Sequence, residues 1–247
     1  MGKTRKRKDS QPQCQCDPSC KNPPLSGSPF CQVHQEKCIR TAPRTGYEPD
    51  YHPSKYNKHP GLKSSQNCFA YAFHHTYLPK HCTKDSCNAS FHQPGIKSGH
   101  PRWSEVDGKR CPDLLGRLMG DVPSIQFSTF TKRCPKKMTK AAVVTDENED
   151  YHFYRQDSNG YWSHKPGSTD VTNKDATGRF IYDPALASRF YPKTGLDYKN
   201  FCAYFCIPAT EPIRIQRAGK RSMRSMRKKR RSVRKQRTQR KSSYSRE

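Results

Sequence analysis

Most of the positive charge of this chain lies in its two ends, and that distribution decides where a folded core can form. The 247 residues carry a formal net charge of +26, of which residues 213–247 hold +15 and residues 1–9 hold +4. Only +7 is left for the 203 residues between. At 31% hydrophobic residues the whole chain is close to disordered by composition, yet the middle holds enough aromatic and aliphatic side chains for one domain of ordinary size. One modest core is therefore expected, with a basic arm at residues 1–12 and a disordered basic tail at residues 213–247.

The longest aliphatic run, Ala141-Ala142-Val143-Val144, is far short of the roughly 20 apolar residues of a membrane helix. Behind Met1-Gly2-Lys3-Thr4-Arg5-Lys6 there is no apolar stretch of the kind a signal peptide carries. No membrane association and no secretion by a signal peptide are expected, and the location implied is a virion or a host nucleus or cytoplasm. Twelve cysteines are nevertheless many for a reduced compartment, so each group has to be read by its spacing as metal ligand, thiol or disulfide.

Within residues 13–40, Cys16, Cys20, Cys31 and His34 form C-x3-C-x10-C-x2-H. Two short-spaced pairs joined by a loop supply the tetrahedron of soft ligands that zinc takes. So short and polar a segment cannot bury a core, and bound metal would supply its folding free energy. Cys14 and Cys38 are substitutes for these ligands, and disulfides are the alternative. The pattern from Cys20 to His34 is similar to short C…C-x2-H modules in large-DNA-virus and phage proteins, which implies an interaction element or one that works near nucleic acid. Residues 41–65, with scattered Pro, Lys and Tyr, read as an extended linker.

Residues 66–208 read as the folded domain. Asn67-Cys68-Phe69-Ala70-Tyr71-Ala72-Phe73 has helical character with Asn67 as N-cap, which puts Cys68 in the first turn, where free N–H groups favour the thiolate. The alternative is a small buried hydrophobe. Residues 140–146, 151–155 and 161–164 read as strands, the last two joined by the turn signal Asp157-Ser158-Asn159-Gly160. That hairpin brings His152 near His164, a base beside an orienter, as thiol catalysis requires. Asp170 and Asn173 are alternative orienters.

These residues resemble the papain-like fold, specifically its NlpC-type amidase and peptidase branch. The likeness spans roughly residues 56–208 and rests on Asn67-Cys68-Phe69-Ala70, on Tyr151-His152-Phe153-Tyr154, and on Ser163-His164 twelve residues after His152. It implies Cys68 as nucleophile, His152 as base and His164 as orienter, with Tyr56 where that branch often has an active-site tyrosine. Asn67 departs from the acidic residue usual before the cysteine, so no substrate preference carries over. A narrower likeness, through Asp150-Tyr151-His152-Phe153-Tyr154-Arg155-Gln156-Asp157 and Trp162-Ser163-His164-Lys165-Pro166-Gly167, is to uncharacterised proteins of giant DNA viruses and bacteria.

Among the other cysteines, Cys82 and Cys87, with His81 before them and His92 beyond, fit a disulfide or idle thiols better than a second metal. Cys202 and Cys206 fall on a final strand at residues 201–207, where an i, i+4 pair shares a face but lies too far apart to bond. Cys111, opening an amphipathic helix, and Cys134 have no evident partner. The tail interleaves Lys and Arg with Ser and has no aromatic before Tyr244, so any nucleic-acid binding is to phosphates and sequence-independent. An α+β fold is expected, a papain-like helix on a small antiparallel sheet preceded by the zinc-like module. Its expected activity is thiol hydrolysis of amide or peptide bonds, with the basic ends as tethers to nucleic acid or another polyanion. The alternative is a non-enzymatic structural protein that keeps the same core.

Overall fold

A computed structural model describes residues 20–24, 31, 41–103, 109–147, 149–209 and 215–217. The basic arm, Cys14, Cys16, His34, Cys38 and nearly all of the tail lie outside these residues. Four helices are described: α1 (Ser54–Asn57), α2 (Pro60–Ser65), α3 (Cys68–Ala72) and α4 (Cys111–Asp121). The strands are β1 (Gln126–Ser128), β2 (Met138–Asp146), β3 (Asp150–Gln156), β4 (Trp162–Ser163), β5 (Phe190–Tyr191), β6 (Leu196–Asp197) and β7 (Asn200–Pro208). Five of them form one antiparallel sheet in the order β1-β7-β2-β3-β4, and β5 pairs with β6. The α+β expectation holds.

The run of small and β-branched residues at 141–144 forms the middle of the sheet because it can be buried on both faces. Ala141 and Val143 join Phe153, Phe205 and Ile207 in one core layer, which α3 and α4 cover with Phe69, Phe73, Leu114 and Leu118. Ala142 and Val144 point the other way, into a layer with Tyr154, Trp162, Tyr198 and Tyr204. The period-2 alternation of strand side chains thus assigns each residue of β2 and β3 to a face.

Residues 41–65 are not an extended linker. Ala42, Tyr56 and Leu62 are buried, the Gln156 side-chain amide donates to the Ala42 carbonyl at 2.6 Å, and two short helices, α1 and α2, form in its second half. The aromatic and aliphatic residues dispersed among Pro and Lys were enough to dock it, although no period announced them. Within the expected tail, Arg217 also packs back, donating to the carbonyls of Ser65 and Ser90 at 2.6 and 2.8 Å.

Disulfides pair Cys82 with Cys87, Cys111 with Cys202, and Cys134 with Cys206. Cys202 and Cys206 do not share a face as an unbroken strand would require. The β2–β7 register jumps from Val143↔Ala203 to Val144↔Phe201, so Cys202 is the extra residue of a β-bulge. The bulge turns it toward Cys111 at the start of α4, while Cys206 meets Cys134 beside Met138. β7 is thereby tied to the helical layer and to the chain leaving β1.

Loop-closure entropy ranks these bonds. Replacing Cys111 and Cys202 by Ser opens a bridge of sequence separation 91, but the Cys134–Cys206 bridge that remains shortens the loop released, so the expected cost is roughly 3–4 kcal/mol. The same change at Cys82 and Cys87, of separation 5, should cost about 2 kcal/mol. Urea midpoints of the two double variants measure the order.

Candidate active site

Asn67 caps α3 as its sequence suggests: Oδ1 accepts from the Ala70 N–H at 3.1 Å, and Nδ2 donates to the His92 carbonyl at 2.9 Å. Cys68 is accordingly the first residue of the helix. Its Sγ lies against the outer edge of β3, donating to the Tyr151 carbonyl at 3.8 Å and receiving the Phe153 N–H. These two peptide groups bracket His152. β4 pairs only with Arg155 and Gln156, so this part of the β3 edge is open for the sulfur to occupy.

The His152 side chain projects to the other side of β3, ringed by Tyr154, Tyr198 and His164. Its Nε2 and the Nδ1 of His164 are 2.7 Å apart, and the Nε2 of His164 is 2.8 Å from the Lys174 carbonyl. Bonding logic assigns the protons. A carbonyl only accepts, so His164 carries its proton on Nε2 and, being neutral, has a bare Nδ1. That nitrogen accepts from Nε2–H of His152, which leaves the lone pair of His152 on Nδ1. Three peptide and imidazole groups therefore form one hydrogen-bonded line that fixes both tautomers. Of the three orienters considered, only His164 bonds to His152. Asp170 pairs with Lys63 at 2.6 Å on the surface, and the Asn173 carbonyl accepts from the Ile181 N–H.

Burial governs the electrostatics. It pushes the Cys68 thiol up to about 12, reinforced by the nearby Asp150 carboxylate and opposed by the Phe153 and Phe69 N–H groups. The depressed value expected at a helix start is thus overturned, because desolvation of the thiolate outweighs the N–H groups that favour it. Burial also holds His152 well below the usual histidine range, with His164 adding to the effect, and lowers His164 to about 4 against the upward pull of the Lys174 carbonyl. The resting state is a thiol beside two neutral imidazoles, and among the described residues no hydrogen bond joins Cys68 to His152.

Tyr56 is buried too, but its ring meets Tyr71 edge-on at 5.1 Å and its hydroxyl bonds to Arg155, one layer away from the Cys68 sulfur. Several contributors were invisible in the sequence. The Lys174 carbonyl has no side-chain signature, and the Tyr198 hydroxyl, which donates to Asp150 at 2.7 Å, arrives from a loop 46 residues beyond His152. Lys165, inside the Trp162–Gly167 string, is buried and donates to the carbonyls of Lys63, Gly167 and Thr169 at 2.6, 2.7 and 3.0 Å, which shapes the loop after His164.

Two groups have ligand atoms suited to metal. Sγ of Cys20 and Sγ of Cys31 are 3.5 Å apart, near the roughly 3.8 Å that two thiolates on one tetrahedral zinc would show. Cys16 and His34, the other two expected ligands, lie outside the described residues. The ligand atoms of His81, Cys82 and Cys87 lie within 4.8 Å of one another, but both sulfurs are in a disulfide, one of the two readings the spacing left open beside the metal.

Fold and site together define a disulfide-stapled α+β protein with a buried cysteine and a histidine pair on its central sheet. Among known proteins, the insoluble matrix shell protein 1 of Ruditapes philippinarum is 36% identical over 141 residues, which cover 56% of this chain and 80% of that protein. The chain belongs to the family of that shell protein. No family model matches it, and no solved structure does. Among the described residues no helix is long and apolar enough to cross a membrane.

The histidine pair has a pH signature whose sign is fixed by the downward shifts. Between the unfolded value near 6.5 and about 4, the unfolded chain binds protons that the folded His164 refuses, so stability is complete above the upper value and lost as pH falls through the window. The slope is about 1.4 kcal/mol per pH unit for each such histidine. Urea midpoints between pH 7 and 5 should fall less steeply for His164→Asn than for the wild type.

Proposed function

We propose that the chain is a papain-like thiol hydrolase of amide or peptide bonds, working outside reducing compartments. The observation that carries this reading is the hydrogen-bonded line from His152 through His164 to the Lys174 carbonyl, which leaves an unprotonated Nδ1 on a histidine whose flanking peptides hold the Cys68 sulfur. In this mechanism Nδ1 of His152 takes the Cys68 proton as sulfur attacks the amide carbonyl. The imidazolium then protonates the departing amine, and water attacks the thioester with His152 again as base, restoring the thiol. His164 holds the ring and spreads the charge of the imidazolium toward the carbonyl. The three disulfides among the described residues support an oxidising setting, since such bonds do not persist where thiols are kept reduced.

The remaining expectations belong to the same proposal. Cys16, Cys20, Cys31 and His34 would hold a structural zinc, and the basic ends would bind phosphates or another polyanion without sequence preference. Deleting residues 213–247 should abolish retention on a DNA column and remove its steep salt dependence; retention unchanged by the deletion would exclude the tail as a tether.

A specific observation favours a second reading. Cys68 is 5% exposed and its thiol is pushed to about 12, which suits a packed residue better than a nucleophile. In this alternative the papain-like core is a structural platform, and the chain works as an insoluble matrix component, as the printed name of its shell relative suggests. Iodoacetamide at neutral pH, followed by mass spectrometry of the Cys68 peptide, separates the two. The hydrolase reading expects Cys68 to be alkylated in the native protein and at least tenfold more slowly in His152→Ala. Alkylation only after unfolding, unaffected by that substitution, would leave the structural reading.

A further inference from the structure

On the helical side of the sheet, away from the His152 ring, a cavity of about 360 Å³ is lined by Arg155, His74, Tyr56, Lys55, His52 and Asp50, among others. We infer that it is a binding site for a small organic oxyanion, a carboxylate or phosphate ester, gripped by the Arg155 guanidinium and by Nδ1 of His74.

Arg155 is held as a receptor group would be. Its guanidinium stacks on the Tyr71 ring at 3.9 Å, and its Nε donates to Asp157 at 3.0 Å. Nη2 makes a long bond of 3.4 Å to the Asp50 carbonyl, and the Tyr56 hydroxyl takes one more. Of the five N–H donors of a guanidinium, these partners leave two, on a fork that matches carboxylate or phosphate oxygens. Lys55 at the mouth adds positive charge, while the exposed Asp50 carboxylate, the one acid lining the cavity, subtracts some.

His74 supplies an independent observation. It follows the C-cap of α3 in the left-handed conformation, φ 56°, which is uncommon for a side chain of its size, and it is one of the residues that line the cavity. Its Nε2 is 3.1 Å from the Thr139 hydroxyl, whereas its buried Nδ1 has no hydrogen-bond partner. Buried polar atoms normally have one. The proposed site assigns Thr139 as donor to Nε2, the tautomer in which Nδ1 carries the proton and is a neutral donor. The volume falls at the low end of small-molecule sites, larger than a bare inorganic anion needs, hence an oxyanion on a small organic body. The site is separate from Cys68 and His152 and does not depend on the hydrolase reading.

The test is calorimetric titration of the full chain with glutarate and, separately, with glycerol 3-phosphate at matched ionic strength. Either or both should bind saturably, and which one binds identifies the oxyanion. His74→Gly keeps the backbone conformation without the donor and should weaken binding about tenfold. His74→Asn tolerates the same φ, restores an N–H, and should stay within about threefold of the wild type. In the wild type itself, the His74 ring resonances should move on titration. No saturation by about 10 mM of either compound, equal affinity of wild type and His74→Gly, or unmoved His74 resonances at saturation would overturn the inference.

Discussion

Everything in this fold depends on β2 being buried on both faces and hydrogen-bonded along both edges. A strand in that position has to carry small or β-branched residues, and it imposes alternation on β3 and β7 beside it. The helical layer and the tyrosine-rich layer are packed against opposite sides of it, so the identity of each neighbour follows from odd or even position. The Cys68–His152 relation is set by the same rule. The sulfur approaches β3 along its open edge from the helical side, and the imidazole leaves the strand on the other side.

A domain with so modest an apolar fraction has surface enough to keep its charges outside, yet several are inside. Most of their polar atoms are satisfied locally, one oxygen of Asp157 excepted. Lys140 donates to the carbonyls of Thr129, Phe130 and Lys132 at 3.0, 2.7 and 2.7 Å, Lys165 clasps three others, and Asp121 accepts from the N–H groups of Gly95 and Ser98 at 2.7 and 2.8 Å. Arg155 and Asp157 form a pair at 3.0 Å. Burial lowers both lysines to about 8, but three carbonyl oxygens match the three donors of an ammonium, so each acts as a fixed point for an irregular loop. Long connections that lack secondary structure are organised from within by single cations.

Local pattern made much of this legible. The strands at 140–146 and 151–155, the turn at 157–160, the helix opened by Cys111 and the Asn67 cap are all short-range features, and each stands within a few residues of its expected place. So does the proximity of His152 to His164, because a hairpin fixes which residues face each other. What escaped was long-range. Disulfide partners 91 and 72 residues apart depend on how β7 inserts between β1 and β2, and on a bulge that no spacing announces. The docking of residues 41–65 depended on scattered side chains such as Ala42 and Tyr56. The Cys68 thiol was misjudged because the sequence shows its helix position but not the depth at which the helix is packed.

The bridges from Cys111 to Cys202 and from Cys134 to Cys206 enclose overlapping spans of chain. Any peptide bond cut between Cys134 and Cys202 leaves two fragments that both bridges still join. The surface loops after β4 can therefore be nicked without the protein separating into pieces, and the fragments would part only once a reductant had opened both bridges. Covalent redundancy thus adds to folding free energy in holding the chain together.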